Sequence, residues 1–304
     1  MLAHPELSIR RITRIVVASA AAGMATWSMA VPGVLAFDDP AAKETAPAES
    51  AEQIAARKLL REQSVARISG VRIKGRETEK RVVELVKEPL IAYTDEPLCI
   101  DAATVWTWTA KKEGRPLALC KVEHYDVVRL ARAGEWLYCF TSLAPDLIHA
   151  EWPDGHQWTA RKPGVSFQNV PDAGPPGETP AARLRQMKEL SRQFTAAFDF
   201  NQKNKEELRL LARPLYRYAD SDAGIVDGAV FAAAMNGTNP TAIFLIEAQQ
   251  QGTQTVWQFG VAAMTDGAVV VNYDGKEVWS KPALHAPGVS FDTWTYFFEN
   301  AKKQ

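Results

Sequence analysis

Apolar residues in this chain take helical spacing twice, and each time a series of two-residue alternations follows. The first helical segment opens at Ser50, which caps it with Gln53 as the reciprocal partner three residues on. It runs through Ile54, Leu59 and Leu60 to about Ala66. The second opens with Thr179 as cap and Pro180 in the first turn. Leu184, Met187, Leu190 and Phe194 then recur at helical spacing, while Arg183, Arg185, Lys188 and Arg192 face elsewhere. A single apolar stripe must lie on something. Burying each of those side chains is worth about 1.5–3 kcal/mol, which outweighs helix propensity, so packing decides this helix.

The alternating segments come in the same order after each helix. Residues 82–93 correspond to 207–218, with Pro89-Leu90 matching Pro214-Leu215, and a proline inside a strand pattern predicts an edge or a bulge. Residues 100–109 match 225–234, and 117–123 match 242–247. Residues 136–143 match 257–264, and 147–152 match 268–273. Tight turns join them, among them Asn236-Gly237 and the paired Asp154-Gly155 and Asp274-Gly275, so neighbours are antiparallel. The phrase Pro163-Gly164-Val165-Ser166-Phe167 returns as Pro287-Gly288-Val289-Ser290-Phe291, an offset of about 125 residues, the mark of a duplicated unit. The expected fold class is α+β. Two tandem repeats, 50–167 and 180–304, each place one amphipathic helix before an antiparallel meander of about five strands. The stretch 168–179, crowded with Pro and Gly, reads as a linker.

This element order resembles the cystatin-like and NTF2-like folds, in which a helix packs on the concave side of a curved meander. It is also similar to lipoprotein carriers, where two such halves share one long sheet. The duplicated phrases themselves resemble those of uncharacterised bacterial secreted proteins. The likeness covers element order only and transfers no functional residue.

Arg10, Arg11 and Arg14 precede an apolar, charge-free run from Ile15 to Ala36, and Val34-Leu35-Ala36 suits a cleavage site. Residues 1–36 therefore read as a signal peptide, and 37–49 as a mobile Ala/Pro/Glu linker. The expected location is secreted or periplasmic, with no membrane span in the mature chain. A formal charge of −1 gives no global field for nucleic acid. The three cysteines, Cys99, Cys120 and Cys139, all fall in the first repeat, and their counterparts in the second are not cysteines. They read as small buried hydrophobes, with one disulfide as the alternative that export would favour.

The sequence carries no motif for a metalloprotease, phosphate loop, dinucleotide fold or nucleophile elbow. No catalytic residue, metal ligand or cofactor is expected. His149, Glu151 and His156 are the one conceivable ligand set, with a solvated strand and turn as the plainer account. Glu123 and Glu247 hold matching places at strand ends; with His124 and His149 they are the first candidates for acid/base chemistry between the repeats. The more informative feature is aromatic. Trp106 and Trp108 share one face of a strand, and Trp136, Tyr138 and Phe140 share a face of another. Trp106, Trp108, Trp136 and Tyr138 are the candidate binding residues, on a face that lines an apolar cavity or fills the core. Three functions follow in order: a non-enzymatic module binding an apolar small molecule or an envelope protein, a hydrolase or isomerase, and a structural protein of the cell surface.

Overall fold

The computed structural model describes residues 50–75, 83–110, 114–126, 136–200, 205–284 and 292–299. Calls on residues 1–49, on His285 and on the second copy of the repeated phrase lie outside the described residues.

Both helix starts form as the caps dictate. In α1 (Ala51–Ile68), Ser50 Oγ accepts from the Gln53 backbone at 3.2 Å, and Gln53 Oε1 accepts from the Ser50 N–H at 2.9 Å. In α2 (Pro180–Ser191), Thr179 Oγ1 accepts from Ala182 N at 3.2 Å. One expectation about the helices needs correction. Phe194 is not helical: α2 stops at Ser191, and Phe194 starts a strand that buries it in the same core as Met187 and Leu190. Only the C-terminal part of α1, at Ser64 and Ile68, is buried, so Ile54 and Leu59 stay exposed.

Eighteen strands follow among the described residues. In the first half they are β1 (Arg72–Gly75), β2 (Glu84–Leu85), β3 (Ile91–Asp95), β4 (Ile100–Thr109), β5 (Pro116–Tyr125), β6 (Trp136–Ser142), β7 (Ile148–Glu151) and β8 (Gln157–Thr159). Then comes β9 (Gln168–Asn169). The second half holds β10 (Phe194–Asp199), β11 (Glu206–Leu210), β12 (Tyr216–Asp220), β13 (Ile225–Ala234), β14 (Pro240–Gln251), β15 (Gln254–Ala263), β16 (Ala268–Tyr273) and β17 (Lys276–Lys281), followed by β18 (Trp294–Phe298). Every pairing is antiparallel.

Among the described residues each half therefore shows eight strands, against the five or so expected. The pattern around Pro89 predicted one strand but gives two, because both β2 and β3 lie along β4 with the chain broken between them. The same break separates β11 from β12 along β13. The four-residue β1 is too short to be recognised, and β10 is hidden because Phe194 continues the apolar stripe of the preceding helix. The stretch 168–179 is also not wholly a linker, since its first two residues form β9.

Pairing runs β2–β4–β5–β6 in the first half and β11–β13–β14–β15 in the second. The outer strands cross over. The strand following the first half, β9, joins β15 of the second; the strand following the second half, β18, joins β6 of the first. Each half completes the other's sheet.

Alternation assigns the layers. From β4, Trp106 and Trp108 face a core shared with Ile68 of α1, whereas Ala103 and Val105 face the other half. From β13, Phe231 and Ala233 face the core under α2, whereas Val230 and Ala232 face the first half. The order is helix, sheet, sheet, helix, with two sheets back to back in the middle. Gly164 of the repeated phrase explains itself here. A Cβ on it would lie 2.2 Å from the Ser142 carbonyl oxygen, and this close pass seats Val165 in the central layer.

Trp294 tests the crossing. It is buried in the central layer, and its indole N–H donates to Cys139 Sγ at 2.9 Å. Trp294→Ala should cost about 3–5 kcal/mol in denaturant unfolding. It should also speed amide exchange along β6, roughly 150 residues away in sequence. Unchanged exchange at Tyr138–Thr141 would contradict the pairing.

Candidate functional site

The aromatic candidates come together, in a filled core. Trp106, Trp108, Trp136 and Tyr138 are all at most 4% exposed and pack with Phe140 and Trp152 under α1. Rings touch edge-on, as in Phe140 against Trp152 with centroids at 5.4 Å, or stack, as in Tyr138 on Phe297 at 5.1 Å. Arg67 closes this layer, its guanidinium 4.2 Å over the Trp136 ring while Nε donates to Glu299 at 2.9 Å.

The acid/base candidates are placed for structure. Glu123 is buried and accepts from Tyr93 at 2.6 Å and from Tyr125 at 3.1 Å. Glu247 is fully buried and accepts from Tyr218 at 2.7 Å and from Gln258 at 2.8 Å. Arg115 reaches across from the first half and grips Glu247 with two bonds, Nε to Oε1 at 2.8 Å and Nη2 to Oε2. Burial opposes charge on that guanidinium, but the bonds and attraction to Glu247 outweigh it and raise its pKa above the ordinary value. Tyr93 and Tyr218 are held far above their usual range, first by burial and then by the carboxylates they donate to. A second chain crosses beside it: Lys121 donates to Asn239 at 2.7 Å, and Asn239 donates to Asp95 at 2.8 Å. These carboxylates spend their acceptor capacity on fixed donors.

His149 and Glu151 do face one another, with Nε2 to Oε1 at 3.4 Å, but Lys74 holds that carboxylate at 3.0 Å and lowers its pKa. His156 is elsewhere, stacked on Phe297 with centroids 3.4 Å apart. His124 sits edge-on to Trp136. Cys99, Cys120 and Cys139 are all free thiols; Cys120 faces the core under α1 and Cys139 the central layer, so no bond joins them. Burial pushes the Cys139 thiol up to about 12.

An accessible groove lies in the second half. About 460 Å³ in volume, it opens between the C-terminal turns of α2, the loop after β9 and the β16–β17 hairpin. Its walls include Leu190 from α2, Gln193 just past the helix end, Trp257 from β15, and Tyr273 and Val278 from the hairpin. Asp172, Glu189, Asp274 and Glu277 line its rim against a single ammonium, Lys276. Asp172 and Asp274 sit at φ of 52° and 47°, the left-handed region that Asp tolerates in turns. Tyr273 and Trp257, both buried residues, line the groove. Burial raises the Tyr273 pKa, and Asp274 and Asp172 add to it. Sequence reasoning flagged the Asp274-Gly275 turn and the position of Trp257 but did not unite them. The walls come from four separate segments, and only the fold joins these.

Comparison with protein-family models, with curated proteins and with solved structures finds no match to this chain.

Two outcomes test this geometry. Arg115→Met should cost roughly 3–5 kcal/mol, because Glu247 keeps its charge without a counter-ion. Arg115→Met combined with Glu247→Gln should recover part of that loss in denaturant melts, whereas strict additivity would show that the pair is uncoupled. Lys281 gives a pH test. Its ammonium donates to Gly267 O at 2.6 Å, and burial lowers its pKa from the ordinary 10.5 to about 8. Between those values the unfolded chain binds more protons than the folded one, so stability rises with pH across the window. Lys281→Met should flatten that rise in melting profiles.

Proposed function

We propose that this protein is an exported, non-enzymatic binding module, built from two copies of one helix-plus-sheet unit, and that its ligand docks in the groove beside α2. The groove carries the reading. Its volume lies in the range of small-molecule and side-chain pockets, about 300–1,000 Å³. It is lined by aromatic and acidic side chains, whereas the carboxylates suited to acid/base work are bonded within the central layer. Export rests on the basic segment and apolar run at the N-terminus. The two-copy origin rests on matched details: Tyr93 donates to Glu123 as Tyr218 donates to Glu247, and the strands pair in the same order. The filled aromatic layer under α1 turns the ligand reading away from an apolar molecule in the first half and towards a protein partner at the second.

A screen of cationic, neutral and anionic fragments by amide and indole NMR shifts tests this. Shifts should gather on Gln193, Trp257, Tyr273 and Val278 and vanish in Ala173→Trp, which fills the groove. Shifts scattered over the surface, or turnover of ester, glycoside or phosphate substrates that Glu247→Gln abolishes without changing the melting curve, would overturn the reading.

A further inference from the structure

Trp136 and Trp257 occupy the same place in their sheets. Trp136 lies across from His124, the residue after Glu123; Trp257 lies across from Ala248, the residue after Glu247. The helices end alike beside them. Arg67 stands four residues before buried Val71, and Leu190 four residues before buried Phe194. In the first half the chain supplies its own cation at this place: the Arg67 guanidinium lies over Trp136 and is neutralised by Glu299. In the second half that position is Leu190, whose side chain is shorter and uncharged, and the space beside it is the groove.

The charge is arranged for the missing cation. Asp172 and Asp274 line the groove together with Tyr273, a residue only 5% exposed, and burial followed by these two carboxylates raises the Tyr273 pKa. Carboxylates and a phenol oxygen accept hydrogen bonds; a planar guanidinium offers five donors and tolerates an aromatic wall.

From this we propose that the groove receives an arginine side chain of a partner protein, at the place where Arg67 serves the first half. The inference rests on the reading of the groove as the binding site and adds the chemistry of its occupant. The Trp257 indole N–H resonance, assigned by its loss in Trp257→Phe, reports binding to the full mature chain. Nα-acetyl-arginine amide should shift it saturably. Nα-acetyl-citrulline amide, the same shape without charge, should bind about tenfold more weakly or less. Asp172→Asn with Asp274→Asn keeps residues that accept positive φ and should lose the arginine response while the melting curve holds. Raised salt should weaken binding of the arginine amide and leave that of citrulline unchanged. Equal binding of the two amides, or an arginine response that survives both Asn changes, overturns the proposal. If a neutral or anionic fragment shifts Trp257 and arginine amide does not, the groove stands as a site and only the cation assignment falls. If no probe shifts it, both fall.

Discussion

A fully buried carboxylate must find donors or pull the structure apart, and Glu247 finds its strongest in the other half of the molecule. Arg115 crosses the central layer to meet it, and the Lys121–Asn239–Asp95 chain crosses nearby. Isolated ions in that layer would carry a desolvation cost of several kcal/mol each. Paired, they fix the lateral register of two sheets whose remaining contacts, such as Val105, Val230 and Leu245, are apolar and tolerant of sliding. Apolar burial drives the halves together, and the polar crossings decide how they meet. The two kinds of contact have different symmetry. Tyr93–Glu123 and Tyr218–Glu247 are matched, but Arg115 serves only Glu247. The central layer is therefore not interchangeable end for end.

Much of the strand structure was readable from sequence, for a definite reason. The segments 100–109, 225–234 and 268–273 coincide with β4, β13 and β16, short apolar-rich runs bounded by turn signals that recur in register in the two copies. Both helix starts were legible in single cap residues, Ser50 and Thr179. The failures have physical causes as well. Phe194 continues the helical stripe of Leu184, Met187 and Leu190, yet begins β10, because a turn can carry an apolar residue into the same core from a new direction. β9 has two residues and no pattern to detect. Its pairing with β15, and that of β18 with β6, depend on which sheet edge is nearest, which no local signal encodes.

The candidate site divides in the same way. Alternation placed Trp106, Trp108, Trp136 and Tyr138 on shared faces, and they do share them. Alternation does not say whether a face is covered, and the covering comes from Ile68, Arg67 and the distant Phe297. The groove was invisible for the opposite reason. Asp172, Leu190, Trp257 and Asp274 are scattered through about a hundred residues, and each looks ordinary where it stands. In the last turn of α1 stands Arg67, over Trp136, whereas the last turn of α2 carries Leu190, beside the groove that Trp257 lines.

The exchanged outer strands also set a clock. During synthesis β6 emerges long before β18, so the first sheet must wait for most of the remaining chain before its edge is closed. Until then that edge presents open amides and carbonyls to any other strand nearby, including the β6 of a neighbouring molecule. A polypeptide wired this way cannot close that edge until β18 has been made.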